Sequence, residues 1–135
     1  MIVGGGGTGL ETAHMLSQQK KEVTVVEMLE RAGADLGATI RWILLNKIRE
    51  LGVKVLTSTQ LVRIVDTDVV MSREGDERVF TGYDTIILAA GTVSCTALKE
   101  ELRDMPVELL VIGDSEKPGN AADAIRSGAE AGIRI

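Results

Sequence analysis

The sequence predicts an α/β fold in which a central parallel sheet carries a three-stranded antiparallel β-meander. Along residues 1–58, short apolar segments alternate with stretches of helical periodicity, as in parallel strands joined by right-handed crossovers. Between residues 60 and 83, three extended segments, "QLVRIVD", "DVVMSRE" and "ERVFTGY", follow each other too closely for helical connections. Their breaks at 66–68 and 75–76 favour antiparallel pairing.

The first half of the chain supplies three strands and two helices. The β-branched residues Ile2 and Val3 lead directly into glycine, which predicts a buried strand that meets a tight turn. A helix is predicted from Leu10 to about Gln19, and a strand over 22–27. The longest helix is predicted over 36–51, and its buried stripe would hold Ile40, Ile43, Leu44, Ile48 and Leu51. The third strand follows over 53–58.

The second half returns to the parallel sheet. The segment "DTIILAAG", residues 84–91, predicts a buried strand that rejoins this sheet. A polar and partly helical connection over 92–106 precedes "VELLVIGD", which predicts another buried strand over 107–114. A last helix is expected to begin at Asn120, with Asp123 three residues later near its N-terminal end.

Composition excludes several classes of function. The formal net charge is −5 and lysine and arginine are scattered, which argues against a nucleic-acid partner. No apolar run reaches the roughly 18 residues of a membrane span, so no membrane partner is expected. The single Cys95 excludes an internal disulfide, a CxxC pair and a multi-cysteine metal site, and favours a reducing, cytoplasmic setting. The chain starts abruptly inside a predicted strand, which suggests a fragment.

The four consecutive glycines after the first strand form the strongest motif. Gly4, Gly6 and Gly9 fit the pattern G-x-G-x-x-G, with Gly7 and Thr8 between them. In this pattern the first glycine permits a tight turn, the second lets the backbone approach a diphosphate, and the third lets helix and strand pack closely. The sequence therefore predicts a Rossmann-like dinucleotide site at the N-terminus of a helix that begins near Thr8. A merely flexible glycine turn is the alternative.

Glu27 ends the second strand 21 positions after Gly6. A carboxylate at about this offset accepts hydrogen bonds from the adenosine ribose hydroxyls and would repel a 2′-phosphate. NADH is therefore predicted over NADPH, although Arg31 could partly offset the repulsion. A solvated glutamate at a strand end is the alternative.

The remaining candidates are better explained by packing or exposure. From the sequence alone, Glu11 is an exposed helical residue in the first turn, where the helix dipole favours it. His14 is expected on a helix surface rather than as a catalytic base, because no nucleophile motif lies near it. Cys95 and Trp42 are interpreted as packing residues.

Taken together, these motifs resemble a known superfamily. The order "VGGGGTGLETA", "VTVVE", a meander, "DTIILAAG" and "LLVIGD" resembles the pyridine nucleotide-disulfide oxidoreductase-like flavoproteins. Within them, "VIGDSEKPGNAADAIRSGAEAG" is most similar to the C-terminal region of the 2,4-dienoyl-CoA reductase, 2-enoate reductase and trimethylamine dehydrogenase group. The resemblance implies an NAD(H)-binding domain over 1–104 and a returning segment of the FAD-binding domain over 105–135, both parts of a larger protein.

The resemblance also implies cofactor contacts that the residues alone do not. Glu11 would lie near the nicotinamide carboxamide, and the N-terminus of the last helix would point toward the flavin ring. Gly113 and Asp114 would contact the flavin ribitol. The other positions implied are Ala89, Ala90 and Gly91 beside the dinucleotide, and Asn120 and Ala121 at that helix N-terminus.

The mechanism implied by the resemblance is hydride transfer from NADH to FAD, with NADP(H) the less favoured donor. In this group electrons then pass through an iron-sulfur cluster to FMN in a separate barrel domain, which reduces an activated carbon–carbon double bond. We expect no catalytic residue for that last step, no metal site and no tightly bound FAD in this chain. The alternatives are a non-catalytic module that binds ADP or another nucleotide, and the NADH domain of a disulfide or ferredoxin reductase.

Overall fold

The computed structural model describes residues 1–66 and 68–135, which form two compact units, Met1–Gly91 and Thr92–Ile135. Thr67, part of the break predicted at 66–68, lies outside the described residues. The division predicted at residue 104 stays a prediction. Within the described residues, none of the helices combines the length and the apolar character needed to cross a bilayer.

The first unit contains a four-stranded parallel sheet with the order β3-β2-β1-β7. Strands β1 and β7 pair in parallel, as do β1 and β2, and β2 and β3, so the predicted return of the chain to this sheet is confirmed. The strands are β1 (Ile2–Val3), β2 (Thr24–Val26), β3 (Lys54–Leu56) and β7 (Ile87–Leu88), and the helices between them are α1 (Gly7–Gln18) and α2 (Ala38–Glu50).

The predicted meander is also confirmed. It forms a separate antiparallel sheet with the order β4-β5-β6. Its strands are β4 (Thr59–Val65), β5 (Asp68–Arg73) and β6 (Asp76–Phe80). The α/β class with a Rossmann-like parallel sheet and a three-stranded meander is therefore the observed fold.

The central strands of the parallel sheet, β1 and β2, are buried on both faces, and this explains why they lack alternating polarity. The edge strand β7 is not buried as predicted, since Leu88 is 67% exposed. Ile2 and Val25 pair across β1 and β2 and belong to the core cluster that contains Leu10 of α1 and Ile48 of α2. Their chain neighbours Val3 and Val26 also pair, but they join the cluster that contains Val69 and Met71 of β5. Helices thus pack on one face and the meander on the other.

Helix α2 differs from the prediction in length and in its buried face. It runs over Ala38–Glu50, and α4 (Ala121–Arg134) is longer by one residue, with 14 against 13. Ile48 is fully buried and Leu44 packs against the core, but three members of the predicted stripe are exposed: Ile40, Ile43 and Leu51. Trp42 is 68% exposed, so its interpretation as a packing residue is wrong.

The second unit contains α3 (Ala97–Glu101), a short 3-10 turn (Gly113–Ser115) and α4. The strand predicted over 107–114 is wrong: these residues join no sheet within the described chain, and Val107, Leu109 and Ile112 are exposed. A buried strand needs neighbours for its backbone groups, and no described strand of this unit supplies them. Cys95 is exposed as well and is not a packing residue.

Candidate functional site

The glycine turn lies where β1 ends, at the carboxyl edge of the parallel sheet. The Gly4 amide donates to the Val26 carbonyl at 2.8 Å, and the Ala89 amide donates to the Val3 carbonyl at 2.7 Å. Gly4 has a φ of +110°, and a side chain on it would run into the carbonyl of Ala89. Only glycine can therefore turn the chain here beside the end of β7.

Gly9 brings α1 close to the turn. A side chain on Gly9 would run into the Gly4 carbonyl and would lie 3.5 Å from the Ile2 side chain. Glycine at both positions lets the start of the helix pack directly on the end of β1. This is the close helix–strand approach that the third glycine of the motif permits.

Glu27 is buried at the end of β2, with 9% of its surface exposed, so it is not a solvated glutamate. Its carboxylate holds two backbone amides: Oε2 accepts from Gly5 at 2.6 Å and Oε1 accepts from Leu29 at 2.8 Å. A carboxylate has about four lone-pair positions, so Glu27 can accept further hydrogen bonds on its remaining ones. The structure thus places the predicted ribose ligand against the predicted diphosphate turn.

The sequence motif assigned no role to Gly5, because the second position of G-x-G-x-x-G can hold any residue. A Cβ on Gly5 would lie 2.9 Å from the Glu27 Cβ and 3.3 Å from the Ala32 Cβ. The absence of a side chain is what allows the amide of Gly5 to reach the carboxylate. The run of four glycines, longer than the motif requires, is the signal that could have identified it.

Helix α1 begins at Gly7, one residue before the start expected near Thr8 and three before the periodic segment predicted from Leu10, and Gly6 is its N-cap. Gly6 has no side chain to cap the helix, and the cap comes from another segment: the Asp35 carboxylate accepts from the Gly7 amide at 2.9 Å and 3.2 Å. Thr8 is exposed in the first turn, and its carbonyl accepts from the Thr12 hydroxyl. Asp35 was missed because a loop acid cannot be placed on a distant helix from spacing alone.

Glu11 and His14 lie on α1 beyond the glycine turn. Glu11 is exposed, but since the helix begins at Gly7 it lies in the second turn, and the predicted first-turn position is wrong. The helix dipole acts mainly within the first turn, so it stabilises Glu11 little. His14 lies one turn farther along the helix and is half-buried. The nicotinamide contact of Glu11 stays a prediction.

The small residues after β7 differ in their surroundings. Ala89 and Ala90 lie against the glycine turn, since a Cβ on Gly4 would come within 3.1 Å of the Ala90 amide nitrogen. Gly91 is exposed and has a φ of +96°, with open space around its α-carbon. Ala89 and Ala90 are thus brought to the candidate site.

The candidate flavin contacts lie in the second unit. The Gly113 amide donates to the Ser127 hydroxyl at 2.9 Å, and Asp114 accepts from the Gly119 amide at 3.2 Å. Asn120 caps α4, whose first residue is Ala121, by accepting from the Ala122 and Asp123 amides, and Asp123 accepts from the Asn120 amide. The predicted helix cap is confirmed, whereas the flavin contacts of this cluster stay predictions.

The glycine turn combines close backbone packing with a helix N-terminus. Side chains at Gly4 and Gly9 would collide with backbone carbonyls, and one on Gly5 would crowd Glu27 and Ala32, so this compact turn exists only because they are absent. The start of α1 supplies backbone N–H groups and the positive end of the helix dipole. These are the two features that an anionic group needs at a helix N-terminus.

The chain is similar to known proteins over its whole length. The family model "pyridine nucleotide-disulphide oxidoreductase" matches residues 1–115. The chain is 28% identical to an NADH oxidase of Thermoanaerobacter brockii over 100% of its own length and 21% of the relative. It is 34% identical to a cinnamate reductase of Clostridium sporogenes, again over 100% of this chain and 21% of the relative.

A solved structure of 2-naphthoyl-CoA reductase, in complex with 2-naphthoyl-CoA, matches 99% of this chain and 20% of that one. The TM-score is 0.81 and the identity is 25%. The chain therefore spans about a fifth of the length of these relatives. The resemblance inferred from the motifs is confirmed, and this chain belongs to the pyridine nucleotide-disulphide oxidoreductase family.

Proposed function

We propose that this chain binds NAD(H) at the glycine turn and positions it for hydride transfer to FAD in a larger flavin-dependent reductase. The observation that carries the proposal is the Glu27–Gly5 contact. It places a buried carboxylate directly against a glycine turn at a helix N-terminus. The ribose and the diphosphate of a dinucleotide are adjacent groups and need two such adjacent partners.

In this proposal the residues of the chain bind and orient, while the hydride chemistry belongs to the nicotinamide and the flavin. The amides at the start of α1 hold the diphosphate, and Glu27 accepts from the ribose hydroxyls. Ala89 and Ala90 leave room beside the turn because their side chains are small. Glu11, exposed on α1, would reach the carboxamide of the nicotinamide ring.

The second unit is proposed to complete a flavin site that domains beyond this chain build. Gly113 and Asp114 would contact the ribitol, and the capped start of α4 at Asn120 and Ala121 would face the flavin ring. Relatives that include a cinnamate reductase and a 2-naphthoyl-CoA reductase favour reduction of an activated double bond by the whole protein. FMN and an iron-sulfur cluster belong to such further domains. A reducing cytoplasmic setting is part of the proposal.

NADH is proposed over NADPH because the Glu27 carboxylate would repel a 2′-phosphate. One feature works in the other direction. Arg31 follows Glu27 by four residues and, together with Arg41 and Arg49, lines a cavity of about 290 Å³. Replacing Arg31 by alanine is therefore expected to weaken NADPH binding more than NADH binding.

Calorimetric titration with NADH, NADPH and ADP tests the proposal. The wild-type chain is expected to bind NADH more tightly than NADPH, and Glu27→Ala is expected to weaken NADH binding roughly tenfold through the lost ribose hydrogen bonds. Glu22→Ala is the matched control, because Glu22 is an exposed acid just before the opposite end of β2. A folded chain that binds neither NADH nor ADP would refute the proposal. Equal affinity for ADP and NADH would instead favour the nucleotide module.

A further inference from the structure

Asp35 lies on the loop between β2 and α2 and reaches the first amide of α1. Both of its carboxylate oxygens are within hydrogen-bond distance of the Gly7 nitrogen, at 2.9 Å and 3.2 Å. The first amides of a helix have no acceptor within the helix, so an anion from elsewhere is favoured there. In this protein the chain itself provides that anion, 28 residues away in sequence.

The same carboxylate also fills the room beside Gly6. A Cβ on Gly6 would lie 3.2 Å from Asp35 Oδ2. Gly6 is the second glycine of the motif, whose missing side chain is expected to let a diphosphate approach the backbone. The Asp35 carboxylate therefore occupies both the Gly7 amide and the space beside Gly6 that a diphosphate would use.

The loop is held in place while the Asp35 side chain remains exposed. The Gly33 amide donates to the Gly5 carbonyl at 2.6 Å, and Arg41 Nε donates to the Ala32 carbonyl at 2.6 Å. Asp35 is exposed and, among the described residues, forms no ion pair. A rotation of its side chain alone can release Gly7, without displacement of the loop backbone.

We propose that Asp35 is an internal competitor of the dinucleotide: its carboxylate must leave the Gly7 amide before the diphosphate binds, and this exchange lowers the affinity of the site. The inference rests on the proposed function, because it assigns the diphosphate to this amide. After the exchange Asp35 remains near the diphosphate, and the repulsion between like charges lowers the affinity further.

A purely structural role for Asp35 leads to the opposite expectation. If the carboxylate only organised the turn and stayed in place beside a bound diphosphate, its removal would lower both the stability and the affinity. If it competes, its removal lowers the stability of α1 but raises the affinity for ligands that carry a diphosphate. The two measurements therefore change in opposite directions only when Asp35 competes.

The experiment compares Asp35→Asn and Asp35→Ala with wild type by calorimetric titration of adenosine, ADP and NADH, together with thermal unfolding. Both variants are expected to bind ADP and NADH about tenfold more tightly, to leave adenosine binding unchanged and to unfold at a lower temperature. Glu30→Gln is the matched control. It changes the net charge by the same amount on the same loop, and among the described residues Glu30 makes no hydrogen bond to the glycine turn.

Unchanged or weaker binding of ADP by both variants would overturn the inference while leaving the proposed function intact. If wild type and both variants fold but none binds ADP, the proposed function fails first. Should the variants fail to fold, the wild-type protein still provides a test. The side-chain carboxyl carbon resonance of Asp35 is expected to shift on addition of ADP but not of adenosine, and an unmoved resonance at ADP saturation would also overturn the inference.

Discussion

The Glu27 carboxylate accepts a hydrogen bond of 2.6 Å from the amide of Gly5, 22 residues earlier in the chain. This contact joins the end of β2 to the turn after β1, and the same side chain also holds the amide of Leu29. One buried acid thus organises two loops at the carboxyl edge of the sheet. It has a structural role as well as its proposed role as a ribose ligand.

The structural role of Glu27 predicts a loss of stability that does not depend on any ligand. Glu27→Gln preserves the size of the side chain, but its amide nitrogen cannot accept, so one of the two backbone amides loses its partner. We expect the free energy of unfolding in urea to fall by about 1–3 kcal/mol. Glu22→Gln, at an exposed position just before the same strand, is expected to change it by less than ~0.5 kcal/mol. Equal effects of the two substitutions would contradict the importance of the Gly5 contact.

Gly9 and Gly128 are both helical glycines, and we expect alanine to have opposite effects at the two positions. A methyl group at Gly9 meets the Gly4 carbonyl, so α1 must shift away from β1, and a loss of roughly 1–3 kcal/mol is expected. At Gly128, in α4, nothing lies within 4 Å of the added carbon, and alanine should stabilise by ~0.4–1 kcal/mol. Thermal unfolding followed by circular dichroism measures both. A stabilised Gly9→Ala variant would show that the close helix–strand approach is not required.

Ile48 and Trp42 lie on the same helix, α2, but differ in burial. Ile48 is fully buried in the core cluster, so Ile48→Ala should cost about 2–5 kcal/mol of unfolding free energy. Trp42 is 68% exposed, and Trp42→Ala should change that free energy by no more than ~0.5 kcal/mol. Urea denaturation followed by circular dichroism suits both variants. A larger loss for Trp42 than for Ile48 would contradict the orientation of α2.

The cap of α4 provides a prediction for the second unit. Asn120→Ala removes the acceptor for the Ala122 and Asp123 amides and should destabilise the helix by about 0.5–2 kcal/mol. Asn120→Ser retains a side-chain oxygen at the cap and should preserve most of that stability. Helical content against temperature distinguishes the two variants. An equal loss in both would mean that the capping oxygen contributes nothing.

Local sequence patterns predicted the structure correctly wherever a few neighbouring residues determine the conformation. The glycines of the first turn, the asparagine cap of α4 and the apolar strands of the parallel sheet were all predicted because each depends on a few adjacent residues. The meander was predicted for the same reason, since its short connections leave no room for another arrangement. Together these elements define the fold class.

Burial of α2 and of residues 107–112 could not be predicted in the same way. Both segments are apolar, but a segment is buried only when another element covers it, and the sequence pattern of that segment contains no information about its neighbours. Much of α2 is exposed, and residues 107–112 join no described sheet. The apolar residues of α2 and of 107–112 therefore led to the prediction of a larger buried core than the structure has.

By itself, then, the sequence determined the α/β class, the glycine turn and the acid at the end of β2, because all three are encoded within short spans of chain. Only the tertiary structure decided that this acid and Asp35 both hold amides of the glycine turn. These contacts join residues 22 and 28 positions apart, and their geometry depends on how the loops after β2 pack across the start of α1. A spacing in the sequence indicates which residues can meet, whereas packing decides which backbone groups they bind.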